Sequence, residues 1–437
     1  MRERITFIHA PEESFNLKQL HIEKDVLHIR SLKAMREDRL TFDVQELPQE
    51  DTFTGIPVTS ERFSSSAAYQ YYALLPTLKD FTTYITQKIC PSSGEICYKK
   101  AATLNSADFL DIDFDTISQS LILSGFWHEY HNGGLWNEQI SASNNKSKIE
   151  IGVLTNEVPT EPEELKLGGY LTILGEDSKP RTTLFSFPSR HHAKSVASQS
   201  TYSASFVPST GLHPTLRLRF PTSSMIPPSE ACSLHTYLTV PPVLFPDKYQ
   251  LSAPNFLVSN NLHSIRSVYG ETDLEAPDWA IRKWGSAMLV ELAPPPTSSD
   301  EPWHADIPLH LRYLPPNPES KSYVDIPWPV VFWACVAEEG TKMANSPFDR
   351  VNLGYDGLFG PRTMFYHLSP DTSNKSRDSL VERLEVPVLP ANKSNWIEAG
   401  TILVIVLGFV WVLTKLAFVT LREAKPEIKR RDSKKKR

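Results

Sequence analysis

Along most of the chain apolar and polar residues alternate with a period close to two. Near the amino end Ile5 and Phe7, Leu20 and Ile22, Leu27 and Ile29, and Leu40, Phe42 and Val44 each skip one polar neighbour. In an extended strand that spacing puts the apolar side chains on one face, so short strands are predicted over residues 1–45. A Ser/Thr-rich loop is expected over 49–68. Leu78, Phe81 and Ile85 then recur at three and four residues, which predicts a helix over 77–89, stopped by Pro91. Residues 109–127 are apolar with acidic punctuation, and Ile149, Ile151 and Val153 start a further alternation. Residues 159–164 and 190–205 read as connectors. Beyond them Leu216, Leu218 and Phe220 oppose Arg217 and Arg219, and Ile307, Leu309, Leu311 and Tyr313 oppose His310 and Arg312. Residues 234–240 and 287–292 are apolar strands that end at proline pairs or triplets, and 328–334 is apolar on both faces. Residues 369–378 and 387–395 read as loop and stalk. The class predicted is mainly β, an antiparallel β-sandwich with few helices.

One stretch breaks this pattern. Residues 399–421 carry a single charge, Lys415, and 23 helical residues reach about 35 Å, enough for a hydrocarbon core of about 30 Å. A carboxy-terminal transmembrane helix is therefore predicted. The tail after Leu421 holds nine basic residues against Glu423, Glu427 and Asp432, and the positive-inside rule places it in the cytosol with the bulk across the membrane. Lys415 either snorkels toward the cytosolic face or meets a polar group on a partner helix. Gly408 would let a partner helix approach closely.

Composition changes the picture in three ways. The formal charge is −6; a tail of +6 leaves an acidic exterior, which argues against nucleic acid. The 35 prolines in 437 residues exceed the usual share of about 5% and favour strands joined by rigid turns. The four cysteines, Cys90, Cys97, Cys232 and Cys335, allow three pairings; Cys90 with Cys97 and Cys232 with Cys335 is the one favoured, free buried thiols being the alternative. Asn145, Asn374 and Asn392 each open an N-x-S sequon. The amino terminus has no secretory signal peptide pattern. Either the carboxy-terminal helix is the translocation signal, or the chain is tail-anchored with its bulk in the cytosol.

Catalytic patterns are few. Asp111, Asp113 and Asp115 form two overlapping D-x-D triplets, a spacing that can hold a metal or a sugar phosphate, and that a solvated strand face also explains. His128 and His131 are one residue short of the H-E-x-x-H spacing. His191 and His192 fall in an expected connector. No metal-ligand spacing, cofactor fingerprint or nucleophile motif occurs, so no catalytic residue, metal or cofactor is nominated.

Four segments carry a resemblance. Gly211-Leu212-His213-Pro214, the run from Leu238 through Pro241-Pro242 to Asp247-Lys248-Tyr249, Asp273-Leu274-Glu275-Ala276-Pro277, and Pro308 to Tyr313, followed by one membrane helix, resemble the PIG-X family over residues 206–421. The longer amino-terminal part is similar to fungal members. The resemblance implies a non-catalytic subunit that stabilises the multi-pass PIG-M-type catalytic subunit of glycosylphosphatidylinositol (GPI) mannosyltransferase I. It also implies an endoplasmic reticulum membrane protein with a luminal bulk and no small-molecule substrate of its own. A general luminal chaperone is the alternative. Lys434, Lys435, Lys436 and Arg437 resemble a dilysine retrieval signal, or form a plain basic stop-transfer flank. Asp247, Tyr249, His310 and Arg312 are expected either to shape the partner surface or to satisfy one another within the fold. The expected division is 1–180 for an amino-terminal β-rich region, 181–395 for the PIG-X-like domain and stalk, 396–421 for the membrane helix and 422–437 for the tail.

Overall fold

The computed structural model describes residues 2–9, 15–23, 25–43, 79–88, 90, 95–115, 120–127, 135–142, 149–193, 200–208, 211–221, 225–270, 273, 276–281, 285–294, 302–341, 343, 353–371 and 380–434. Asn145, Asn374, the loop at 49–68, the histidines at 128 and 131, and Lys435 and Lys436 lie outside the described residues, as do the side chains of Asp113 and Asp115.

The described chain is mostly strand. Across a seven-stranded sheet the order is Arg181–Pro188, Glu164–Ile173, Ile149–Asn156, Arg2–His9, Met35–Asp43, Ser120–Trp127 and Phe109–Asp115. All its neighbours are antiparallel except Arg2–His9 with Ile149–Asn156, which run parallel. The alternation read in the sequence decides which face is buried: Ile5, Phe7, Leu121, Leu123, Ile149, Ile151 and Val153 share one core. A three-stranded sheet of Leu20–Glu23, Val26–Leu32 and Trp136–Ser141 contributes Leu27, Ile29 and Ile140 to that core, and the helices Lys79–Lys88 and Glu95–Thr103 contribute Ile85 and Ala101. Arg36 is buried in it because its charge is matched: Nε and Nη2 donate to Asp38 at 2.7 Å, Nη1 to Glu138 at 2.7 Å, and its guanidinium lies 4.8 Å from the Trp136 ring. The Arg181–Pro188 strand pairs along its whole length with Glu164–Ile173, so the division expected after residue 180 runs through this hairpin.

The second half is a sandwich. One sheet has the order His191–Ala193, Thr363–His367, Val330–Val336, Cys232–Val240, Ser286–Leu292 and Leu262–Gly270; the other is Trp303–Pro308, Thr215–Phe220, Thr201–Phe206 and Ser369–Pro370. Between them lie Leu216, Leu218, Phe220, Leu234, Leu238, Met288, Val290, Val331 and Trp333. The outer face of the six-stranded sheet is also covered, with Tyr237, Leu289, Phe332 and Phe365 packed beneath Tyr355, which is why 328–334 is apolar on both sides.

Three expectations are corrected. The polar stretch 190–205 is not a plain connector. His191–Ala193 pairs parallel with Thr363–His367, and Thr201–Phe206 buries Tyr202 and Ala204 against the sandwich core; small and hydroxylated residues hid the strand period. The alternation at 307–313 is not one strand. It breaks at Leu309, and His310–Leu311 pairs anew with Leu244–Phe245. The loop and stalk expected at 369–378 and 387–395 are in part bonded. Ser369–Pro370 pairs parallel with Thr201–Phe206, the Asn317 N–H donates to Leu389 O at 3.0 Å, the Ala391 N–H donates to Asn317 O at 3.2 Å, and a 3-10 turn at Ala391–Lys393 leads into the helix Ser394–Lys434. Between the two segments Val381–Pro387 pairs with Lys321–Pro327. Among the described residues that turn and helix hold one candidate membrane span, Ala391–Leu421, with none of its most apolar stretch buried in the protein.

Candidate functional site

The four segments that carried the resemblance are far apart in sequence and meet at one corner of the sandwich. Backbone bonds tie them. The Leu311 N–H donates to Leu212 O and the Leu309 N–H to Pro214 O, each at 2.9 Å, the Arg312 N–H donates to Val243 O at 2.8 Å, and the Asp278 N–H donates to Tyr313 O at 3.1 Å. Gly285 lets the next strand cross beneath: its φ is +137°, and a Cβ there would stand 2.1 Å from Val240 O.

Arg312 is the hub. It is buried, and its Nε donates to Pro242 O at 3.0 Å while Nη1 donates to Ala276 O at 2.8 Å and to Asp273 O. The guanidinium also lies 4.3 Å from the Phe245 ring. One side chain therefore holds two of the motif segments against its own strand. Burial pushes the neighbouring Asp278 carboxyl above the usual carboxylate range, with the Arg312 charge offsetting part of that.

His310 Nε2 stands 2.9 Å from Gln250 Oε1, which makes the ring nitrogen the donor, and its ring meets His213 edge-on at 4.5 Å. Burial, and then the His213 charge, hold the His310 imidazole below its ordinary pKa, against a smaller opposite pull from Asp247. The Asp247 carboxylate closes the turn before it, accepting from the Tyr249 N–H at 2.8 Å and the Gln250 N–H at 3.2 Å. Asp247, His310 and Arg312 thus build the corner, and Tyr249 projects from it, exposed, with Lys248 Nζ 5.2 Å from its ring. Two exposed aromatics on the same corner escaped the sequence reading as site residues: Trp279, which follows the third segment, and Tyr313. Their exposure has no local signal, because an aromatic beside prolines reads equally well as core.

The remaining candidates lie elsewhere. Gly408 and Lys415 sit on the apolar helix, with nothing within 4 Å of a Cβ at Gly408 and the Lys415 Nζ 5.9 Å from the Trp411 ring; the corner does not touch them. Asn392 is exposed on the 3-10 turn just ahead of that helix. Cys90 is bonded to Cys97, and Cys232 to Cys335 across directly paired strand residues. Asp111 lies on the edge strand of the first sheet, half-buried. His191 joins a different group, with Nε2 3.0 Å from Asp356 Oδ2 and Nδ1 3.1 Å from His367 Nε2. Among the described residues no three His, Cys, Asp or Glu side chains are placed to hold a metal ion.

A family model described as PIG-X / PBN1 matches residues 209–417, which span this corner and most of the apolar helix. Protein pbn1 of Emericella nidulans is 43% identical with 96% of each chain covered, and protein pbn1 of Neurospora crassa is 38% identical with 95% of each covered. Protein PBN1 of Yarrowia lipolytica is 27% identical over 82% of this chain and 72% of its own. Likeness over nearly the whole length, together with a family match that coincides with the corner and the apolar helix, means that this chain belongs to the PIG-X/PBN1 family.

Proposed function

We propose that this chain is a non-catalytic accessory subunit in GPI-anchor biosynthesis. Family membership supports the pathway. The finer reading is that it stabilises a multi-pass PIG-M-type catalytic subunit of GPI mannosyltransferase I in the endoplasmic reticulum, where the first mannose is added to the anchor precursor. The observation that carries it is the corner itself: the family's motif residues converge on a buried arginine that organises backbone. That is the chemistry of a shaped surface, since Arg312 turns its Nε and Nη1 donors on carbonyl oxygens.

The part that the family model matches ahead of the apolar helix supplies that surface, and Gly408 and Lys415 supply a second contact within the bilayer. Two disulfides suit an oxidising lumen, which agrees with a luminal bulk, a cytosolic basic tail and glycan on Asn145, Asn374 and Asn392. Deleting the protein is expected to lower the abundance of the mannosyltransferase and to make unmannosylated precursor accumulate. Normal enzyme level and normal precursor overturn the reading. Co-purification in mild detergent should return one stoichiometric multi-pass partner; a spread of substoichiometric clients would instead indicate a general chaperone.

A further inference from the structure

Among the described residues ahead of residue 399, the aromatic side chains more than half exposed are Tyr249 at 67%, Trp279 at 65%, Tyr313 at 66%, Tyr323 at 53% and Trp396 at 79%. All are Tyr or Trp, and none is Phe. All five also lie on the motif corner or around the stalk. Trp279 is fixed beside Tyr313 by the Asp278 to Tyr313 backbone bond of 3.1 Å. Four residues lead from Tyr313 to Asn317, a reach of at most about 14 Å, and Asn317 is bonded to both Leu389 and Ala391 in the stalk. Tyr323 stands opposite Glu385 in the ladder that ends there.

The stalk has little slack. Its backbone bonds run on through the 3-10 turn, and the Ser394 hydroxyl donates to Ala391 O at 2.8 Å. Ser394 opens the helix, and at 1.5 Å per residue it stands about 8 Å above Ala399, where the long uncharged run starts. A headgroup layer is roughly 5–8 Å thick on each side. The foot of the domain therefore meets the headgroups, with Trp396 on it, Tyr323 two residues along the ladder that ends there, and Tyr313 within about 14 Å of it along the chain.

We propose that Tyr249, Trp279, Tyr313 and Tyr323 rest in the phospholipid headgroup layer of the leaflet that the helix enters, so that this face of the domain lies on the membrane. The chemistry fits that surface. An indole N–H or phenol O–H reaches ester and phosphate oxygens while the ring packs on the upper acyl chain, which is the usual preference of Trp and Tyr at a bilayer surface. Cations accompany two of the rings: Lys248 Nζ lies 5.2 Å from Tyr249 and the Arg383 guanidinium 6.0 Å from Tyr323. Such a face would hold the docking corner at the bilayer surface, beside the helices of a multi-pass partner. The proposal rests on the helix crossing a membrane and not on the identity of any partner.

The four cysteines are all in disulfides, so one introduced cysteine is the only thiol. Trp279→Cys, Tyr313→Cys, Trp396→Cys and Val158→Cys, each an exposed site, are labelled with an environment-sensitive fluorophore. Each full-length chain is then reconstituted alone in phosphatidylcholine vesicles containing a headgroup-nitroxide lipid. Labels at 279 and 313 should lose emission to the same extent as the label at 396, while the label at 158, in the other half of the chain, keeps its emission. Labels at 279 and 313 that behave like 158 overturn the proposal. Shielding of 279 that appears only when a co-purified multi-pass partner is added also overturns it, and assigns the patch to protein.

Discussion

At the scale of single residues, Arg312 and His235 carry the sharpest consequences. Arg312 serves carbonyls from two separate loops, and a buried acceptor left without its donor costs about 1–3 kcal/mol. Arg312→Met is therefore expected to cost roughly 3 kcal/mol in urea unfolding, and to loosen the loops at 241–249 and 273–278 before the rest, read as faster amide hydrogen exchange there. His235 is a core histidine stacked on Phe332, its Nδ1 donating to Ser233 O at 3.1 Å and its Nε2 without a hydrogen-bond partner. Burial pushes its pKa down to about 4, the Ser233 bond opposing. The unfolded chain, titrating near 6.5, binds more protons between those two values. Stability from this residue is then complete above pH 6.5 and falls as the pH drops toward 4, by roughly 3 kcal/mol in all. His235→Phe should flatten that slope relative to the parent; parallel pH profiles would show that the histidine is not the group responsible.

At the scale of elements, the two disulfides differ in what they close. Cys232 and Cys335 are 103 residues apart and Cys90 and Cys97 only 7. In the chain-entropy account the longer loop is worth about 4.7 kcal/mol and the shorter about 2.5. The double replacement Cys232→Ser with Cys335→Ser should accordingly lower the melting temperature more than the pair Cys90→Ser with Cys97→Ser, in calorimetry of the detergent-solubilised protein. Legibility also varied by element. The helix expected at 77–89 is found as Lys79–Lys88, because its periodicity and its proline stop are both local. The strand Val381–Pro387 escaped notice because it buries only Leu384 and Val386 among charged neighbours. Thr201–Phe206 did so because serine and threonine occupy its other face.

At the scale of the whole molecule, the apolar helix and the sandwich corner are the two contacts proposed for one chain. Lys415 is the residue that separates anchoring from docking. Lys415→Leu should leave membrane insertion intact, since it removes the one charge from an otherwise uncharged run. Loss of the co-purifying partner would show that the ammonium meets a polar group on another helix, and unchanged co-purification that it only snorkels. Replacing Asn145, Asn374 and Asn392 by Gln, one at a time, should each remove one endoglycosidase-sensitive band step if the bulk is luminal; no sensitivity in the parent protein would contradict that orientation.

What the sequence determined by itself was whatever depends on near neighbours. The alternation told which residues of a strand share a face, the uncharged run marked the helix long enough for a bilayer, and proline marked where elements stop. What it left open depends on distant neighbours. The pairing favoured for the four cysteines is the one found, but a period of two says nothing about which strand lies alongside, so the parallel pairing of Arg2–His9 with Ile149–Asn156 and the meeting of the motif segments around Arg312 needed the folded structure. Exposure is non-local in the same way. Tyr249, Trp279 and Tyr313 are apolar enough to be core, and only the packing of the corner leaves them facing outward.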